Sequence, residues 1–195
     1  MDLRAGKTAF ITIDMLYDFA DPGGAVFYPQ NREILPRVLD ALHTARQSGL
    51  LVLFAQHYHR RYVFDRELVS GRRPNCLEGT GGEALLPELD WDPKTEYVVR
   101  KRRYNAFTGT DLDLILRENG IANLVLVGTK TNCCIRATVE GAYHLDYNAV
   151  VIRDCVATNS DTVNEVHLAD IGKYLGRVIT LDEFKQMTEM GELHG

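Results

Sequence analysis

NLVLVGTKTNCCIRAT, Asn123 to Thr138, decides the fold. Its first seven residues, Asn123 to Thr129, are a short apolar run of leucines and valines, the pattern of a strand buried on both faces. A helix is expected from about Cys134 to Leu145, so Gly128 to Cys134 is the turn that joins strand to helix.

The same alternation continues in both directions. Upstream, TAFITID (Thr8 to Asp14) reads as a buried strand that delivers Asp14 at its carboxyl end. From Glu33 to Ser48, Ile34, Leu35, Val38, Leu39, Leu42 and Ala45 recur at helical spacing, and Gly49 stands where the helix would stop. LLVLFA (Leu50 to Ala55) is a second strand. His57 to Asp92 then breaks into Gly, Pro and charge, including GRRPN and EGTGGE, with one short helix expected near Glu83 to Leu86. So long an irregular stretch is expected to lie over a site. EYVVRK (Glu96 to Lys101) is a strand ending on Lys101, and Asp111 to Glu118 is a helix opened by Thr110 and closed at Asn119 and Gly120. Downstream come strand AVVIRD to Asp154, a helix across Thr162 to Tyr174, strand RVIT, and a capping box from Thr180 to Glu183 that opens the last helix.

Strands and helices alternating at this spacing give an α/β fold, an open and mostly parallel sheet with helices on both faces. Length and a hydrophobic content of 45% fit one domain over residues 1–195. Sites on such sheets lie beyond the strand carboxyl ends. Asp14, Lys101 and the Gly128 to Cys134 turn occupy that end of three different strands, so the topology allows them to meet.

Composition removes several function classes. Lys and Arg total 22 against 27 Asp and Glu, a formal charge of -5, so no electrostatic excess exists to hold a nucleic acid. No run of about 18 apolar residues suggests a membrane span, and MDLRAGKTAF lacks the pattern of a secretory signal, so a cytoplasmic address is expected. Cys76, Cys133, Cys134 and Cys155 show no metal or disulfide spacing and are read as free thiols. Of these, Cys133 and Cys155 are assigned to packing.

Cys134 opens a helix, where unpaired backbone donors and the helix dipole favour a thiolate. A nearby ammonium would lower the thiol further, and a carboxylate could take its proton and return it to a leaving amine. Lys101 and Asp14 supply those charges. Backbone N–H groups in the turn would face a developing oxyanion, and loss of one such donor costs about a hundredfold or more in rate. Acyl transfer is the reaction class that follows. Taken singly, each residue has an ordinary structural role, as a turn cap, a solvated lysine or a small core residue.

ITIDMLYDF around Asp14, VVRKRRYNAFTGTDLD around Lys101 and VGTKTNCCIRAT around Cys134 resemble, in order and spacing, the three signature blocks of the isochorismatase-like cysteine hydrolases. The resemblance runs from Thr8 to about Phe184 and includes HLDYNAVVIRDCVAT. It implies a Rossmann-like, six-stranded parallel sheet, a catalytic Asp14, Lys101 and Cys134, and a non-proline cis peptide between Thr129 and Lys130. It also implies that the N–H groups of Lys130 and Cys134 bind the oxyanion. Isochorismatases proper lack the cysteine at this position, so Cys134 favours amide hydrolysis.

The chain departs from the family pattern at three places. Leu16 and Tyr17 replace two amides of the first block, removing polar groups that could meet substrate. Lys130 stands where a small residue is usual; its charge is expected in solvent, the alternative being a contact with a substrate carboxylate. His57 and His59 are the metal-ligand candidates; nicotinamidases of the family hold a metal with an Asp-x-His pair and a later His, but here His57 replaces that Asp and Asp65 stands near the later position, so three ligands are conceivable although the nicotinamidase pattern is broken. No metal and no organic cofactor are expected.

The pocket is expected to draw on Phe19, His57, His59, Arg60, Tyr104 and Phe107, with Arg61, Arg72, Arg73 and Arg102 bordering it. The expected activity is cleavage of a small amide, carbamoyl or ureido substrate through a Cys134 thioester. A metal-containing nicotinamidase-like deamidase and a catalytically idle binding or assembly module of the same fold are the alternatives. The resemblance implies a homo-oligomer, a dimer or tetramer; small molecules are the expected partners, with neither nucleic acid nor membrane.

Overall fold

The computed structural model describes residues 7–69 and 73–193. Six strands, β1 (Lys7–Ile13), β2 (Leu51–His57), β3 (Tyr97–Lys101), β4 (Ile121–Thr129), β5 (Asn148–Ala157) and β6 (Arg177–Ile179), form one sheet. They lie in the order β3-β2-β1-β4-β5-β6, and every pair is parallel. The helices are α1 (Tyr17–Ala20), α2 (Pro29–Glu33), α3 (Leu35–Gln47), α4 (Leu112–Glu118), α5 (Arg136–His144), α6 (Asp161–Tyr174) and α7 (Leu181–Glu189). None of the described helices is long and apolar enough to cross a membrane.

Strand side chains alternate between two cores. Phe10, Phe54, Val125, Val127 and Ile152 pack with α3 and α7, and Phe10 meets Phe184 at 5.9 Å. Ile11, Ile13, Leu53, Leu124, Leu126 and Val151 pack on the other face with residues of α4, α5 and α6. Both faces are therefore covered, as the unbroken apolar strands require. At the amino end of α7 the capping box of Thr180 and Glu183 is present in full.

Strand order reverses between β1 and β4, the point where a doubly wound sheet opens a crevice beyond its strand ends. Register makes those ends level: Ile13 pairs with both Ala55 and Gly128, and His57 pairs with Lys101. The irregular segment between β2 and β3 folds back over this edge around the buried carboxylate of Asp18. That carboxylate accepts N–H bonds from Ala25 at 3.0 Å and Cys76 at 2.6 Å. Gly82 packs against it so closely that a Cβ would lie 2.2 Å from Asp18 Oδ2.

The boundaries differ from the sequence reading where packing overrides pattern. No helix forms at Glu83 to Leu86; a single 3-10 turn forms instead at Pro87–Leu89, where proline suits the first helical position. The helix after β4 starts earlier than Cys134, through a wide π-type turn at Thr131–Ile135 that runs into α5. Helix α2, opened by Pro29, was too short to show a period. Strand β5 extends to Ala157 because Val156 and Ala157 pair with Gly128 and Thr129 past a bulge.

Candidate active site

Each strand end at the crevice contributes a polar side chain. Asp14 follows β1 at φ 54°, a left-handed conformation that Asp tolerates better than most residues, and donates its N–H to Ala55 O at 3.0 Å. His57 closes β2 and Lys101 closes β3. Past the end of β4 the Thr129–Lys130 peptide is cis, and Cys134 follows in the wide turn.

Gly128 sets the spacing between β1 and the turn. It adopts φ 109°, and a Cβ there would lie 2.0 Å from Ile13 O. Gly128→Ala is expected to destabilise the fold by about 2 kcal/mol or more, because the methyl group pushes β4 from β1 beneath Asp14. A urea unfolding midpoint equal to wild type would reject that account.

Asp14, Lys101 and Cys134 converge. Lys101 is fully buried and donates to Asp14 Oδ2 at 2.7 Å, to His57 Nδ1 at 3.0 Å and to Arg103 O at 3.3 Å. Asp14 Oδ1 accepts the His57 N–H at 2.9 Å. One carboxylate oxygen of Asp14, one ring nitrogen of His57 and the sulfur of Cys134 all lie within 4.8 Å of one another. Burial alone would raise the Asp14 carboxyl, but the Lys101 ammonium and bonds from His57 and Cys134 outweigh it and hold it at about 2. Lys101 is pulled the other way: burial opposes its charge, and Asp14 and Cys134 together raise it.

The thiol departs from the sequence reading, which expected a lowered Cys134. A hydrogen bond with Cys133, burial and the Asp14 charge push the Cys134 thiol well above its ordinary value, against the pull of Lys101. A buried anion already sits beside it, so at rest the proton stays on sulfur.

Asp14 and Cys134 line a cavity of about 380 Å³, with Lys101 buried behind them. Phe19, His57, His59 and Tyr104 line it, as do Thr129, Lys130 and Arg73. Arg60 and Phe107 do not. Arg60 borders a separate surface depression with Arg102, and Phe107 stacks on Tyr147 at 5.7 Å because its ring joins the core beneath α4 and α5. Arg61 lies over the Tyr62 ring instead, and Arg72 lies outside the described residues. Lys130 is half-buried, with Nζ 5.0 Å from the centre of the Tyr28 ring, rather than in solvent. Cys133 lines the cavity rather than only packing, whereas Cys155 is buried under α3, its thiol donating to Arg37 O at 3.3 Å. Leu16 is buried and bridges Leu85, and Tyr17 is partly exposed; neither lines the cavity.

Sequence reasoning missed Tyr28, Glu67 and Asn132. Tyr28 hydrogen-bonds Thr129 Oγ1 across the ends of β4 and β5. Its only local signal was the Pro29 that follows. Asn132 lies within the quoted turn, its Oδ1 accepting from Thr158 at 2.8 Å. Glu67 comes from the irregular segment and bonds His57 Nε2 at 3.1 Å.

His57, His59 and Glu67 place three donor atoms within 4.8 Å, and Asp65 binds His59 Nδ1 at 3.0 Å as an orienting carboxylate would. The set still does not fit a metal. Burial and the Lys101 charge lower the proton affinity of His57, but bonds to Asp14, Cys134 and Glu67 outweigh them and raise it to about 10. In the neutral ring Nδ1 accepts from Lys101, since an ammonium has no lone pair with which to accept. Nε2, facing the Glu67 carboxylate, carries a hydrogen whether the ring is neutral or charged, so no lone pair is left there for a metal. Purified protein is expected to hold no stoichiometric transition metal and to keep its turnover after chelation; a one-to-one metal content would reject this proton placement.

The isochorismatase domain model matches residues 8–183. A probable inactive nicotinamidase of Arabidopsis thaliana is 32% identical over 192 residues, covering 94% of this chain and 97% of its own length. Ureidoacrylate amidohydrolase RutB of Stutzerimonas stutzeri is 30% identical over 208 residues, covering 94% and 84%. The structure of N-carbamoylsarcosine amidase from Thermoplasma acidophilum superposes with a TM-score of 0.79 at 29% identity, over 90% of this chain and 97% of that one. The chain therefore belongs to the isochorismatase family.

Proposed function

We propose that the chain is a cysteine-dependent amidohydrolase that cleaves a small amide, carbamoyl or ureido substrate through a thioester on Cys134. The observation that carries this reading is a buried, ion-paired carboxylate within 4.8 Å of a thiol, both lining a cavity. Asp14 is ionised and Cys134 protonated at neutral pH, so the carboxylate removes the thiol proton as sulfur attacks the carbonyl carbon. The tetrahedral oxyanion rests on the main-chain N–H groups of Lys130 and Cys134. Asp14 returns the proton to the leaving nitrogen, the C–N bond breaks, and the amine or ammonia departs. Water then attacks the thioester with Asp14 as base, and the proton returns to sulfur as the acid is released. Lys101 holds Asp14 in place and keeps it ionised. His57, tied to Lys101 and Glu67, fixes the ammonium from its other side.

The choice of substrate class draws on two relatives whose names are those of ureido or carbamoyl hydrolases, and on a chain whose own metal-ligand candidates do not fit a metal. A screen of ureido, carbamoyl and simple carboxamide compounds, read as ammonia release, tests it. Turnover of ureido or carbamoyl compounds above the simple carboxamides is expected. Release from none of the three classes, with a folded enzyme, would defeat the reading.

A further inference from the structure

The charges around the cavity do not balance. Its two carboxylates are already paired: Asp14 with Lys101 at 2.7 Å, and Glu67 with His57 at 3.1 Å and His59 at 3.8 Å. Two cations that line the same cavity, Lys130 and Arg73, form no ion pair among the described residues. Lys130 rests on the face of Tyr28, whose hydroxyl is fixed to Thr129 and Ala157. A cation over an aromatic ring gains about 0.5–2 kcal/mol, less than a desolvated ammonium gains from a carboxylate held at hydrogen-bond distance. Asn132 stands next in the same turn, its oxygen engaged by Thr158, which turns its amide hydrogens away from that bond. A half-buried cation, a guanidinium and the Asn132 amide thus line one cavity whose two carboxylates are both engaged by other partners.

We propose that Lys130 is the specificity-determining residue of this pocket, and that the substrate is an amide or ureide bearing a carboxylate, which Lys130 binds with help from Arg73. The inference rests on the hydrolase reading for the identity of the scissile bond but not for the charge. Position 130 suits this role because its backbone forms the turn before Cys134 while its side chain lines the cavity over the Tyr28 ring. Seating the carboxylate there places the other end of a short molecule toward the sulfur. A neutral amide of the same size leaves the ammonium unpaired.

N-carbamoylglycine and its neutral methyl ester, titrated calorimetrically into Cys134→Ala protein, isolate the charge from the chemistry. The acid is expected to bind at least about tenfold more tightly than the ester, the size of effect a partly buried charge-assisted contact gives. That ratio should fall to near one with Lys130→Met added, be retained with Lys130→Arg, and shrink as salt rises. Equal affinity for acid and ester, no binding of either, or a ratio unchanged by Lys130→Met overturns the proposal. Turnover by the wild type decides the other question separately. Charge-selective binding without ammonia release sinks the hydrolase reading and leaves the anion site standing, whereas release without charge preference does the reverse.

Discussion

Cys134→Ala is expected to lower turnover by about 10⁴-fold or more, because no other group can form the acyl intermediate and only binding and the backbone donors remain. Cys133 is the sharp control. It lines the same cavity one residue away, but the 4.8 Å cluster with Asp14 and His57 is formed by Cys134. Cys133→Ala should therefore keep activity within about tenfold of wild type, the scale of a packing change near a site. Mass spectrometry of quenched wild type during turnover should find the acyl group on Cys134. Equal losses from the two substitutions, or an adduct on Cys133, would move the nucleophile to the neighbouring residue.

Lys101→Met is expected to destabilise the protein by about 3–5 kcal/mol, since it leaves the buried Asp14 without its ammonium. The dependence on pH is more telling than the loss. In the wild type the Asp14 carboxyl sits at about 2, below its ordinary 3.8. Its contribution is thus complete above about pH 4 and disappears as the pH falls toward 2. Without Lys101, burial dominates and the carboxyl rises above its unfolded value. A group shifted in that direction stabilises the fold at low pH and loses the contribution as pH rises. The gap between variant and wild type should therefore widen from pH 3 to pH 7. Urea unfolding midpoints across that range would show it, and a constant gap would mean that Asp14 is not governed by Lys101. Turnover should fall with the same substitution, because a protonated Asp14 cannot accept the thiol hydrogen.

Much of the architecture could be read from apolar runs. The strands at Thr8 to Asp14 and Asn123 to Thr129 are nearly uniform in hydrophobicity because both of their faces are covered, and their ends placed Asp14 and the turn correctly at the crevice. Elements fixed by contacts rather than by period were less legible. Helix α2 is too short to show one, and β5 gains its last residues by pairing with β4 past a bulge.

The site divides in the same way. Asp14, Lys101 and Cys134 sit at strand ends, where topology constrains them, and they meet. Tyr28 and Glu67 enter from loops and Asn132 from the wide turn after β4, and their positions depend on bonds to residues from 10 to 101 places away in the chain. No local pattern encodes such a bond. The orientation of Lys130 is a similar case, since a charged residue in a turn gives no sign that a distant ring will draw it inward. The resting state of Cys134 was misread for an electrostatic reason: a helix start argues for an anion, but a carboxylate buried beside it argues harder against one.

The reversal of strand order between β1 and β4 has a bearing on biosynthesis. The acid–base partner and its cation belong to residues made before position 102, and the sulfur to a segment made after position 133. A ribosome-bound chain that has emerged only through β3 lacks Cys134 and, on the proposed mechanism, is chemically inert. On that mechanism the nucleophile meets its base only when the second half of the sheet docks along β1.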